Sequence, residues 1–126
     1  MRVLVADDDP LMRELVETIL RRGQHEVSVV STGAEIVSML KQGKFDLVIC
    51  DIFMPGGTGI EILISLRAQN INVPFICISG GDGEMFRPYA TTMRSLGAAT
   101  VLQKPFSSEQ LLAALTRAQA ESGSVN

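Results

Sequence analysis

The chain has no tryptophan, a single tyrosine, a single histidine and two cysteines among its 126 residues. Cys50 and Cys77 each lie inside an apolar run, the setting of small buried hydrophobes, so neither a redox pair nor a metal site is expected of them. His25 stands alone between Gln24 and Glu26 and reads as a solvated loop residue without a role. Charge of one sign is also scarce. Eleven Lys and Arg against 14 Asp and Glu leave a net charge of −3, with no basic run to gather phosphates, so direct nucleic-acid binding is not expected. Long hydrophobic runs are missing too: Leu47–Cys50 and Phe75–Ile78 are far shorter than the roughly 20 residues that span a bilayer. The N-terminus has no basic region followed by an apolar signal core. Together these absences point to a cytoplasmic protein with no membrane insertion.

What is present is a globular balance, 46% hydrophobic and 20% charged, in a length suited to one domain. One domain is expected over 1–121, with 122–126 a frayed tail. Five β-branched or apolar runs recur, at Arg2–Ala6, Glu26–Val30, Phe45–Cys50, Pro74–Ile78 and Thr100–Gln103. The first, third and fourth are nearly continuous rather than alternating, as in strands covered on both faces of a parallel sheet. Helical patterns lie between them. Asp9-Pro10 supplies an N-cap and a first-turn proline for a helix that ends at Gly23. Further helices are expected from about Gly33 to Gln42 and from about Thr58 to Gln69, closed by Gly43 and Asn70. Ser107 with Gln110 has capping-box spacing for the last helix. Gly80, Gly81, Asp82, Gly83 and Pro88 weaken the fourth, so loop followed by helix over Tyr89–Leu96 is expected. Strict alternation of these elements implies an α/β fold: a doubly wound, five-stranded parallel sheet with helices on both faces.

Folds of this class bind ligands outside the carboxyl ends of their strands. The residues there are Asp7, Asp8 and Asp9 after the first run, Asp51 after the third, Ser79 after the fourth and Lys104 after the fifth. Gathered carboxylates repel one another unless a cation neutralises them, and an all-oxygen cluster suits a hard ion such as Mg²⁺. A carboxylate can also attack phosphorus if its charge and that of the incoming oxygens are screened. Lys104 offers a compact charge for that purpose and Ser79 a short hydroxyl.

Asp7-Asp8, Asp51 followed by Met54-Pro55 and Gly59, Ser79, and Lys104-Pro105-Phe106, in that order and spacing, resemble the response-regulator receiver domain over about residues 2–118. The resemblance implies the flavodoxin-like strand order 2-1-3-4-5 and a signalling phosphoacceptor in two-component phosphorelays rather than a dedicated enzyme. It makes Asp51 the acceptor of the aspartyl phosphate, with Ser79 the hydroxyl that reaches the phosphoryl group and Lys104 the cation. It makes Asp8 a direct Mg²⁺ ligand and Asp7 a ligand through water, with Asp51 and the backbone carbonyl of Phe53 completing the metal set. It also implies a usually cis Lys104-Pro105 bond, while Asp9 reads as the helix cap.

By the same resemblance the donor is a sensor histidine kinase or a histidine phosphotransfer protein. It is expected to dock near Leu11, Leu15 and Val16, some of which must instead pack on the sheet. The chain ends soon after its fifth helix, so a stand-alone receiver with a downstream target protein as output is expected, a monomer or a weak phosphorylation-dependent dimer. Parts of Thr91–Gly97, Val101–Gln103 and Ser107–Arg117 would form the responsive surface.

Three features depart from the family pattern. Val101 occupies the position where receivers often carry Tyr or Phe, so coupling by rotation of that ring is not available, and the fourth-strand loop is the alternative route. That loop is a few residues longer than in chemotaxis-type receivers and resembles a Ser-Gly-Gly variant of stand-alone receivers; Tyr89 is a candidate aromatic anchor for it. Phe53 and Gly81, two residues after Asp51 and Ser79, supply no polar side chain to orient an attacking water. Two rival readings remain at this stage. One is a haloacid-dehalogenase-type phosphatase with Asp7 as nucleophile, which the short chain, the missing acidic pair after the lysine and the unexplained Asp51 segment disfavour. The other is a receiver fold used as a phosphate-independent binding module.

Overall fold

The sheet forms from the apolar runs. Strands β1 (Arg2–Ala6), β2 (Glu26–Val30), β3 (Leu47–Asp51), β6 (Phe75–Ser79) and β7 (Thr100–Gln103) pair in parallel in the order β2-β1-β3-β6-β7. Counted within this sheet alone, that is the expected 2-1-3-4-5 order. Two short strands, β4 (Phe53–Met54) and β5 (Gly57–Thr58), form a separate antiparallel pair beyond the end of β3. The computed structural model of the chain describes the backbone of residues 1–54, 57–80 and 83–124, and the side chains of all of these except 57, 83–87 and 121–124.

β3 and β6 are buried at every position, which explains why their sequences do not alternate. Their side chains feed two cores. On one face Val3, Val5, Ile49, Ile76 and Ile78 pack in one cluster with Val16 and Leu20 of α1 (Pro10–Arg22) and Leu111, Leu115 and Ala118 of α5 (Ser108–Ser124). On the other, Leu4, Val48, Cys50, Phe75 and Cys77 share a cluster with α2 (Gly33–Gln42), α3 (Gly59–Ala68) and α4 (Gly83–Ser95). Full burial of side chains such as Leu63 or Ile76 contributes roughly 1.5–3 kcal/mol each.

The helix ends follow their capping residues. Asp9 accepts from the Leu11 amide at 3.0 Å, and Thr32 and Thr58 cap α2 and α3 through the Glu35 and Glu61 amides. Ser107 and Gln110 make both bonds of a capping box, at 2.7 and 3.1 Å. Asn70, at φ 59°, follows α3 in the left-handed region.

Several expectations need correction. The third strand covers Leu47–Asp51 rather than Phe45–Cys50; Phe45 instead lies beneath the Arg2 guanidinium, 4.8 Å from its ring centre. The fourth strand likewise begins at Phe75 rather than Pro74, which has no N–H for a ladder. The fourth helix begins at Gly83, not near Tyr89, with Pro88 inside it. As the sixth residue of the helix, Pro88 lies past the first four unpaired amides and removes one intrahelical bond, a cost confined to one turn near the N-terminal end. The last helix carries on to Ser124, so Ser122–Ser124 are helical rather than a frayed tail, and residues 125 and 126 lie outside the described residues. The expected flexible element at Gly81 and Asp82 also lies outside them, as does Pro55. His25 is half-buried rather than solvated, its Nδ1 3.1 Å from the Met1 nitrogen, and burial and that positive group hold its pKa below the ordinary value. Among the described residues no helix is long and apolar enough to cross a membrane.

Candidate functional site

Parallel register brings the strand ends to one edge of the sheet. Ala6 lies beside Cys50 and Asp51 beside Ile78, and Ser79 pairs with Gln103, so Asp7, Asp51, Ser79 and Lys104 are forced together there. Asp7 is 2% exposed and Asp51 7%, while Asp8 is open to solvent. Asp7, Asp8 and Asp51 can each present a carboxylate oxygen with all three within 4.8 Å of one another.

The Lys104 ammonium bridges the two buried carboxylates, 3.2 Å from Asp7 Oδ2 and 3.1 Å from Asp51 Oδ2. The remaining oxygens are held by backbone: Asp7 Oδ1 accepts from the Asp9 amide at 2.9 Å and Asp51 Oδ1 from the Phe53 amide at 3.3 Å. Burial pushes the Asp51 carboxyl above its usual range; Lys104 pulls it down and Asp7 pushes it up, leaving a net rise. Burial alone would lower the Lys104 ammonium, but Asp51 and Asp7 outweigh it and raise the group above its ordinary value. Lys104 is therefore charged at neutral pH, and a divalent cation would draw Asp51 toward ionisation.

Ser79 is fully buried, and its Oγ has no hydrogen-bond partner among the described residues. An unpaired buried hydroxyl costs stability, and this one is free to pair with an oxygen that enters the site. The donor set passes the test for Mg²⁺ and a phosphoryl group. Three clustered carboxylates supply hard oxygen ligands, one ammonium balances the added negative charge, and one orphaned hydroxyl is left to donate.

Two glycines make room for this arrangement. A Cβ on Gly59 would lie 3.2 Å from Ile52 Cα and 3.3 Å from the Asp51 carbonyl oxygen, because the Gly59 amide bonds back to Ile52 O. A Cβ on Gly80 would lie 3.2 Å from Lys104 Cδ. Phe53 is 44% exposed and, with Asp8, Met54 and Thr58, lines an open cleft of about 330 Å³ beside the carboxylates. The Lys104-Pro105 bond is cis, as the resemblance implied.

The expected site residues converge, and Asp9 is the cap rather than a member of the cluster. The docking stripe divides: Leu11 and Leu15 are exposed, whereas Val16 is buried. Reading the sequence missed Arg13, whose guanidinium donates to the Asp7 carbonyl at 3.3 Å; a basic residue one turn after the cap was its only trace. It also missed the contact of Phe53 with Tyr89, ring centres 5.2 Å apart at 88°, which no local pattern signals. Both cysteines are buried free thiols whose pKa burial raises.

Comparison with known proteins agrees with this geometry. The family model described as the response regulator receiver domain matches residues 3–116. The DNA-binding transcriptional regulator NtrC of Bradyrhizobium is 32% identical over 121 residues, covering 94% of this chain; the chain spans only 24% of that regulator's length. The Francisella response regulator 1452 receiver domain superposes with a TM-score of 0.85 at 29% identity, covering 95% of this chain and 98% of that one. The response regulator TrrA of Thermotoga maritima, solved in complex with Mg²⁺ and BeF, superposes at 0.80 with 28% identity over 93% of this chain and 97% of its own.

Proposed function

This chain belongs to the response regulator receiver domain family of two-component, phosphorylation-based signalling, and on that premise we propose that it accepts a phosphoryl group on Asp51 with the help of Mg²⁺. The observation that carries this reading is the Lys104 ammonium held between Asp7 and Asp51 beside the unpaired Ser79 hydroxyl.

An Asp51 carboxylate oxygen attacks the phosphorus of a donor phosphohistidine; the new O–P bond forms as the P–N bond breaks, and the imidazole leaves as a neutral ring after taking up a proton. Lys104, already charged, screens the phosphoryl oxygens as they approach Asp51. The Ser79 hydroxyl donates to one of them and so gains the partner it lacks. Asp8, Asp7, Asp51 and the Phe53 carbonyl are the residues that would hold the metal. Mg²⁺ supplies charge neutralisation between the carboxylates and the incoming phosphoryl group. The chain's own residues perform this transfer, which makes it a phosphoacceptor rather than a dedicated enzyme.

Leu11 and Leu15, exposed on α1 next to the Asp9 cap, suit docking of the histidine kinase or phosphotransfer donor, while Val16 belongs to the core. A downstream protein that recognises the α4, β7 and α5 surface would take the output. Phe53 and Gly81 supply no amide or carboxylate to orient water, so self-catalysed loss of the phosphate is slow. Phe53→Asn should speed that loss by about tenfold, less than the roughly 100-fold or more of a positioned general base, because an amide orients the water without taking its proton. Phosphate-affinity gels would follow it, and an unchanged decay would refute the point.

Incubation with acetyl phosphate and Mg²⁺, read by intact-mass and peptide mass spectrometry, tests the reading itself. Labelling should fall on Asp51, vanish in Asp51→Asn and require the metal. Label on Asp7 would return the phosphatase-type reading, and no label with undiminished partner binding would favour the phosphate-independent module.

A further inference from the structure

The position that most often carries the family's coupling ring is Val101 here, an aliphatic side chain buried in the same cluster as Ala90 and Met93 of α4. It has no ring to rotate toward Ser79. A different aromatic path does connect the pocket to α4. The Phe53 amide donates to Asp51 Oδ1 at 3.3 Å, and the Phe53 ring meets Tyr89 edge to face, with centres 5.2 Å apart. Tyr89 lies on α4 and is itself half-buried, packed against the core shared by α2, α3 and α4.

We propose that the Phe53–Tyr89 contact couples the state of Asp51 to α4, with Tyr89 as the positioning residue. The inference rests on Asp51 as the phosphoryl acceptor. Phosphorylating Asp51 turns its carboxylate into an acyl phosphate, which lowers the charge on the oxygen that the Phe53 amide serves and so weakens or redirects that hydrogen bond. The ring moves with its own backbone. Its far side is solvent, since Phe53 is 44% exposed, and its near side is Tyr89, which is braced by the core. Displacement of the ring is therefore felt by α4. Coupling is reciprocal: if the pocket biases the ring pair, the ring pair biases the pocket's affinity by the same factor. An edge-to-face pair can account for roughly a two- to tenfold change, no more.

Tyr89 is the chain's single tyrosine and there is no tryptophan, so intrinsic emission reports on this ring alone. The test adds beryllofluoride and Mg²⁺ to the full chain, following bound fluoride by fluorine NMR and Tyr89 by emission and acrylamide quenching. The Tyr89 response should rise in step with bound beryllofluoride. Tyr89→Leu, which keeps apolar volume, should shift the beryllofluoride midpoint two- to tenfold in either direction, and Tyr89→Phe should restore the original midpoint, because the edge contact needs a ring and not a hydroxyl. Bound beryllofluoride with unchanged Tyr89 emission and quenching, or a Tyr89→Leu midpoint equal to that of the parent, overturns the coupling while leaving Asp51 as acceptor. Absence of any bound signal removes the acceptor reading and the coupling with it.

Discussion

The two sides of the pocket are built differently. On the side made by β1, β3 and β7, the two buried carboxylates are paired: Lys104 bridges Asp7 and Asp51, and backbone amides take their remaining oxygens. On the side made by β6, the Ser79 hydroxyl is buried without a partner among the described residues. The paired side keeps the reactive carboxylate in place through its ion pair and backbone hydrogen bond. The unpaired side has a hydrogen bond to gain only when a new oxygen enters, which gives the bound and free states different energies.

The largest test of that contrast is Lys104→Met, which keeps the stem and deletes the charge. It leaves two buried carboxylates facing each other. A loss of about 3 kcal/mol in the metal-free protein is expected, the low end for a broken buried pair because the lysine side chain is 17% exposed. Urea unfolding would measure it, and phosphorylation by acetyl phosphate should slow by about 100-fold or more. If stability is unchanged, the bridge is not what holds the paired side.

Gly59→Ala comes next. A Cβ so close to the Ile52 and Asp51 backbone cannot be relieved by turning a side chain, so about 1–3 kcal/mol should be lost by denaturant unfolding, with β3's end displaced.

Asp51→Asn works in the opposite direction. Burial holds the Asp51 carboxyl above its usual range, so its contribution to stability is present below the unfolded value and is lost as pH rises through the folded one. At neutral pH the ionised group therefore opposes folding, and the amide should raise the metal-free melting point by a few degrees, as expected of about 1 kcal/mol. The advantage should shrink as pH falls toward the carboxylate range and on adding Mg²⁺. A melting point that drops at pH 7 without metal contradicts the sign.

The smallest effect on the free protein is predicted for Ser79→Ala. Removing an unpaired buried hydroxyl should leave its stability within about 0.5 kcal/mol of the parent, or slightly higher. Beryllofluoride binding should nevertheless weaken about fivefold to tenfold, the worth of one hydrogen bond. A large loss of stability would show that Ser79 already has a partner and would erase the contrast between the two sides.

Much of this was legible in the residues. Continuous apolar runs marked β1, β3 and β6 because strands buried on both faces cannot alternate, and the polar residues at their ends had to share an edge once the strands ran parallel. Asp9, Thr58 and Ser107 marked helix starts through local bonds that span two or three residues. The α4 start was not legible, because Gly83 and Pro88 are poor helix residues and only packing decides whether a helix forms through them.

The sequence by itself determined the class of fold and the membership of the pocket, since both follow from periodicity and from chemistry at strand ends. Only the tertiary structure decided that Leu11 and Leu15 face outward while Val16 faces in, that Ser79 is left unpaired and that Phe53 touches Tyr89. The first kind of fact depends on neighbours along the chain. The second depends on distances between elements remote in sequence, which exist only after helices have packed on the sheet and their side chains have competed for the same space.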